Sequence, residues 1–238
     1  MNKKILNLKT EIFADGADIK SIEALSKKKY IKGITTNPSL MRKSGVKDYI
    51  QFAKQALKKV KKKSISLEVF ADNPKDIEYQ ASIISELGEN VFVKIPIMNS
   101  KKKYLFPTIK KLSNKGIKLN ITAIMSLNQV KTLMKYLNPK TKSYISIFAG
   151  RVADTGRDPI PVIEKSVNLV KKTKIKIIWA STREVFNIFQ ANNSGCHIIT
   201  VGYDFLKKLN YIDYNLEKYS LETVKQFLKD ASKSGYKI

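Results

Sequence analysis

Eight short runs rich in β-branched and aromatic residues recur along the whole chain. They are Glu11–Ala14, Ile31–Thr35, Ser64–Phe70, Val91–Ile95, Ile117–Ile124, Tyr144–Phe148, Ile175–Ala180 and Ile198–Val201. Between them lie stretches of helical period. Tyr49, Phe52, Ala53, Ala56, Leu57 and Val60 fall on one apolar stripe. Ile77, Ala81, Ile84 and Leu87 repeat it, with Pro74 near the start and Gly88 just past the end. Leu105, Ile109 and Leu112 do so ahead of Gly116, and Ile163, Val167 and Val170 after Pro161. Strands separated by helices cannot pair as hairpins and must lie parallel.

Eight such units in 238 residues match an α/β fold, the closed (β/α)8 TIM barrel, which typically takes about 250. The alternative is an open doubly wound sheet. That fold usually carries a glycine-rich phosphate turn after its first strand, and Ala14-Asp15-Gly16-Ala17 is not one. The tail adds an extra C-terminal helix, expected over about 220–234, with Leu221, Val224, Phe227, Leu228 and Ala231 apolar. That stripe has to be buried on its own barrel or on a neighbouring subunit. No linker or repeat interrupts residues 1–238, so a single domain is expected.

With 43% hydrophobic and 27% charged residues the chain is of ordinary globular composition; its net charge of +25 is not ordinary. Such a balance raises nucleic acid or an anionic membrane as a partner. Only Arg42, Arg151, Arg157 and Arg183 are arginines, however, and the other 41 cations are lysines spread along the whole chain. Readers of base edges lean on arginine, so the lysines are taken as solvated faces and no nucleic-acid partner is expected. The field they create would help to recruit small phosphorylated substrates. One cysteine, Cys196, excludes an internal disulfide and any cysteine-based zinc site. Neither a transmembrane run nor a secretory h-region is present, which points to a cytoplasmic protein without membrane contact.

In a barrel the catalytic groups gather at the C-terminal ends of the strands. Polar residues collect there: Asp15 on the first strand, Thr35 to Ser39 after the second, and Ser66 and Glu68 on one face of the third. Asn120 and Thr122 follow on the fifth, Ser146 and Phe148 ahead of Gly150-Arg151 on the sixth, and Ser181 to Arg183 after the seventh. Lys94 stands inside the otherwise apolar fourth strand. A buried lysine must be paired with a counter-charge or lose its own, and a neutral lysine amine attacks carbonyls to give a Schiff base. His197 and Trp179 are read as structural, Cys196 as a small core residue, and no metal is expected.

Taken in order, Phe13-Ala14-Asp15, Thr35-Thr36-Asn37-Pro38-Ser39, Glu68-Val69, Val93-Lys94-Ile95-Pro96, Asn120-Ile121-Thr122, Ser146 to Arg151 and Ala180 to Arg183 make the chain recognisable over nearly its whole length. It resembles the transaldolase family of Schiff-base aldolases, in the short subfamily that includes fructose 6-phosphate aldolases. The resemblance implies a transfer of a dihydroxyacetone unit from a ketose phosphate (fructose 6-phosphate or sedoheptulose 7-phosphate) to an aldose phosphate (erythrose 4-phosphate or glyceraldehyde 3-phosphate), with no cofactor. It implies Lys94 as the Schiff base and Asp15 as the base on the C4 hydroxyl, with Glu68 and Thr122 holding a proton-relaying water. Asn37 and Asn120 would bind sugar hydroxyls, supported by Thr35 and Ser146. Arg151, Ser181 and Arg183 would take the phosphate, and two of only four arginines fall there. A homo-oligomer is implied as well, a ring of five or a pair of rings, with the C-terminal helix reaching a neighbour.

The same site can release dihydroxyacetone instead, as a fructose 6-phosphate aldolase does. Members with that activity carry Gln where this chain has Glu68 and Tyr where it has Phe148. Both residues therefore point to the transferase.

Overall fold

The computed structural model describes residues 2–235. Eight parallel strands close on themselves in sequential order: β1 (Glu11–Asp15), β2 (Ile31–Thr35), β3 (Ser64–Glu68), β4 (Val91–Pro96), β5 (Leu119–Ile124), β6 (Ser143–Ile147), β7 (Ile175–Trp179) and β8 (Ile198–Gly202). The expected (β/α)8 barrel is present, and each β-branched run contributes its strand. The helices Tyr49–Val60, Pro74–Glu86, Phe106–Asn114 and Ile160–Val170 stand where the apolar stripes put them. Their buried faces, among them Phe52, Ala56, Ile77, Ile84, Ile109, Leu112 and Ile163, pack on the outward residues of the strands. This layer between strands and helices is the main hydrophobic core.

The barrel's inside has a second, smaller core. Phe13, Phe92, Tyr144, Ile178, Ala180 and Ile198 fill it. Bulky aliphatics are the usual filling, and here aromatics take most of the space. Gly33, the register partner of Phe13 on the neighbouring strand, makes room for the ring: an added Cβ there would sit 2.7 Å from it. Phe92 and Tyr144 stack at 3.9 Å between centroids and 10° between planes, and Phe13 meets Tyr144 edge-on at 5.8 Å. The three rings plug the barrel at mid-height and divide its interior into two chambers, one open at each end.

The C-terminal helix runs over Leu216–Ser234, starting a turn before the expected 220. Asn215 explains the earlier start, since its side chain accepts from the Lys218 N–H and caps the first turn. No residue of this helix is buried: Leu221, Val224, Phe227 and Leu228 are all more than half exposed. The stripe is therefore not covered by its own barrel. No described helix is long and apolar enough to cross a membrane.

Candidate active site

The chamber at the C-terminal ends of the strands is a cavity of about 630 Å³. All twelve residues singled out from the sequence line it: Asp15, Thr35, Asn37, Glu68, Lys94, Asn120, Thr122, Ser146, Phe148, Arg151, Ser181 and Arg183. Arg157 does not, and instead donates to Thr155 on the surface.

Lys94 is only 7% exposed, because β4 is flanked by β3 and β5 and its inward face meets the aromatic plug. Its Nζ lies 3.0 Å from Glu68 Oε2 and donates to the Thr36 carbonyl at 3.0 Å. The charge is thus paired by the neighbouring strand at the partner register position. The Lys94–Glu68 contact has the length of an ion pair without the angles of a hydrogen bond, so Glu68 Oε2 stays a buried acceptor with no hydrogen-bond donor among the described residues. Thr122 Oγ1, lining the same cavity, is also buried without a partner among the described residues. Orphaned buried polar atoms are uncommon in native proteins and call for a ligand or an ordered water.

Thr122 owes its position to an irregularity. The register of β5 against β6 shifts between Ile121 and Ile124, and Ala123 has φ +61°, in the left-handed region. Such bulges re-aim side chains beside active sites. Asp15 ends β1 and accepts from Thr35 Oγ1 at 2.8 Å. Burial pushes its carboxyl above the ordinary range, against the opposing pull of the Lys94 charge and the Thr35 hydrogen bond. Asn120 is held on both sides: it donates to Ser66 Oγ at 3.0 Å and accepts from Ser146 Oγ at 2.7 Å. Asn37 caps the helix Pro38–Lys43 by accepting from the Leu40 N–H at 2.9 Å, which leaves its side-chain NH2 as the group available to a ligand.

The arginines stand on the outer edge. Arg151 lies over the Phe148 ring at 5.6 Å, and Gly150 in front of it packs on the loop after β7. A Cβ at Gly150 would sit 1.7 Å from the Ser181 carbonyl oxygen, so only glycine permits that approach. Ser181 itself has φ +65°. Arg183 is not free: its guanidinium donates to both carboxylate oxygens of Asp154, at 3.1 and 2.5 Å. That fork holds the Asp154 carboxyl below its usual range, and a phosphate bound here has to share or displace it.

Three participants escape a reading of the sequence. The Thr36 carbonyl that receives Lys94 is a backbone group and leaves no signal. Tyr49 steadies β3 by donating to the Glu68 carbonyl at 2.9 Å. Ser66, which the sequence already put beside Glu68 on one face of β3, is not among them; the structure adds that it orients Asn120. Asp154 holds Arg183, and its only trace is a carboxylate three residues after Arg151. Trp179 is 1% exposed and does not line the cavity, and Cys196 is buried with its thiol pushed up to about 12.

Residues 12–238 match the family described as Transaldolase/Fructose-6-phosphate aldolase. A protein named probable transaldolase from Thermoanaerobacter is 31% identical over 230 residues, covering 96% of this chain and all of that protein. Another of that name from Brucella anthropi is 32% identical over 230 residues, 96% of this chain and 99% of its own. Among solved structures, a protein described as a lyase/mutase from Burkholderia cenocepacia aligns over 97% of this chain and 85% of its own, with a TM-score of 0.60 at 10% identity. One assigned to the dihydrodipicolinate synthase family, from Coccidioides immitis, aligns over 93% and 76% with a TM-score of 0.61 at 12% identity. At those identities the structures speak for the barrel alone, whereas the match along the sequence identifies the chain as a member of the transaldolase/fructose-6-phosphate aldolase family.

Proposed function

We propose that this chain is a transaldolase, moving a dihydroxyacetone unit between sugar phosphates through a Schiff base on Lys94. The observation that carries the reading is the buried Lys94 amine, 3.0 Å from Glu68, in a cavity it shares with Asp15 and, at its edge, Arg151 and Arg183. Attack on the ketose carbonyl needs a neutral amine, and Glu68 is within reach to take the proton. A water held by the unpartnered Glu68 Oε2 and Thr122 Oγ1 then carries protons as the carbinolamine loses water to form the imine. Asp15 removes the C4 hydroxyl proton, the C3–C4 bond breaks, and the protonated imine takes the electron pair as an enamine. A carboxylate raised above its ordinary range is a stronger base for that step than an exposed one.

The enamine then adds to the acceptor aldehyde, and the proton on Asp15 returns to the new hydroxyl. Asn37 and Asn120 hold the sugar hydroxyls, while Arg151, Ser181 and Arg183 take the phosphate. Phe148 supplies no acid near the enamine, which favours waiting for an acceptor over protonation and release of free dihydroxyacetone. The reading extends to a homo-oligomer of single-domain chains, in which the uncovered stripe of Leu216–Ser234 packs on a neighbouring copy.

The test follows glyceraldehyde 3-phosphate formed from fructose 6-phosphate, with and without erythrose 4-phosphate, and traps the enzyme with borohydride. Product only with acceptor, and a mass addition at Lys94, is the expected result. Comparable release without acceptor makes the chain an aldolase. No trapped adduct at Lys94 overturns the mechanism.

A further inference from the structure

Of the 41 lysines that look scattered along the sequence, a large group gathers at one end of the barrel. The eight segments that lead into strands, from 7–10 to 194–197, hold fifteen lysines and one carboxylate, Glu89. The segments that leave strands, with the two helix–helix connections on that side, carry six basic and six acidic residues. One end of the barrel is strongly cationic and the other is balanced.

The cationic end is also concave. Below the aromatic plug opens a cavity of about 820 Å³, larger than the one that holds Lys94 and of a size suited to a small ligand. Its floor is Phe92, Tyr144 and Ser64, with the Tyr144 hydroxyl donating to Ser64 Oγ. Seven of its sixteen lining residues are lysines, against 41 of 238 in the whole chain, so the concentration exceeds the chain's general habit. Lys176 is paired with Glu11, and Lys118 donates to the Glu89 carbonyl. Lys61, Lys62, Lys142, Lys171 and Lys174 have no ion pair among the described residues. His197 lines the same cavity with its Nδ1 accepting from the Ile177 N–H, which leaves Nε2–H as a donor in the neutral ring.

Five unpaired cations around one hollow, with Glu89 the one carboxylate in its lining, repel each other, and a bound anion offsets that cost. We propose that this chamber is a second binding site, for a small organic or inorganic anion bearing at least two phosphate groups. Lysines suit phosphate as mobile point charges. A hollow open only at the barrel mouth and floored by the aromatic plug, with no arginine in its lining, fits a compact ligand better than a nucleic-acid strand.

Sodium tripolyphosphate is the probe, titrated calorimetrically into the full chain at about 0.15 M salt. One equivalent binds per chain. Lys142→Gln/Lys171→Gln/Lys174→Gln, three exposed positions whose change spares the fold, weakens it by roughly tenfold or more. Arg151→Ala/Arg183→Ala, at the other mouth, leaves it within about twofold, and so does Lys225→Gln/Lys229→Gln/Lys233→Gln, which removes the same charge from the C-terminal helix. Loss in the arginine variant would place the anion in the active site and overturn the proposal. Equal weakening by the helix variant would reduce the effect to net charge and overturn it too. So would a single-stranded RNA of about 20 nucleotides that binds several chains and is unaffected by the mouth substitutions.

Discussion

The two chambers of one barrel solve opposite electrostatic problems. At the C-terminal end every charge deep in the cavity has a counterpart: Lys94 has Glu68 and the Thr36 carbonyl, and Asp15 has Thr35. The polar groups are strand residues, held by the ladder at fixed height and spacing. At the N-terminal end the charges ride on the loops that enter the strands, and most face one another unpaired. Preorganisation on rigid elements suits chemistry, where a small misplacement is costly. Mobile cations suit the capture of an anion. The plug of Phe13, Phe92 and Tyr144 keeps the two environments apart.

The sharpest break in that contrast is Lys94→Ala. It should lower transfer by at least about a thousandfold and abolish borohydride trapping, because the proposed covalent route disappears entirely. The same change at Lys171, an exposed lysine of the other chamber, should leave turnover within about twofold. If Lys171→Ala cost as much as Lys94→Ala, the division of labour between the ends would fail.

Asp15→Asn comes next. Loss of the proposed general base should cut turnover by about 10²–10⁴, and the pH dependence gives a second readout. The folded state holds the Asp15 proton more tightly than the unfolded chain does, since burial raises its carboxyl. Its share of stability is therefore whole below the ordinary carboxylate range and is lost as the pH rises through the raised value. Asparagine does not titrate. Thermal melts should show the wild type losing ground to Asp15→Asn as the pH is raised from the ordinary carboxylate range, while wild-type turnover climbs over the same interval. Parallel pH profiles of stability would show that Asp15 titrates as an exposed acid does.

Gly150→Ala tests how the phosphate edge is built. The new Cβ meets the Ser181 backbone oxygen at 1.7 Å, and neither segment can turn aside as a side chain would. A loss of about 1–3 kcal/mol in chemical denaturation is expected, together with a raised KM for the phosphorylated substrate and a smaller change in kcat. Unchanged KM would separate the Gly150–Ser181 contact from phosphate binding. Phe148→Tyr probes the same rim more gently. A phenol beside the enamine should raise acceptor-independent release several-fold, by roughly 1 kcal/mol in barrier, without loss of Lys94 trapping.

How much of this was legible in the sequence depends on whether neighbours in the chain are neighbours in space. The strands were, since short β-branched runs between helical stripes allow little else. So was the rim, because Glu68, Lys94, Asn120 and Ser146 each break an apolar strand at its inward face. The plug was not: the register that sets Phe13 beside Gly33 on the adjoining strand, and the curvature that stacks Tyr144 on Phe92 across β5, appear only in the assembled sheet. Asp154 gripping Arg183 depends on two loops meeting after β6 and β7. The lysines show the limit best. Along the chain they read as a habit of composition. Only the topology, which sends every helix-to-strand segment to the same end, turns them into one cationic mouth.

That mouth yields the smallest expected effect, and one independent of any ligand. Like charges crowded at one end destabilise the compact state, and salt screens them over about 8–10 Å. Removing three of them in Lys142→Gln/Lys171→Gln/Lys174→Gln should raise the Tm modestly at low ionic strength. The gain should shrink toward zero as salt is added, because screening already does in the wild type what the substitutions do. The matching change at Lys225, Lys229 and Lys233 spreads over a helix whose acidic neighbours include Glu222 and Asp230. It should shift the Tm less at every salt concentration. If both triple variants gained equally, the repulsion would belong to the net charge of the whole chain, and the two chambers would not differ in the way their charges are arranged.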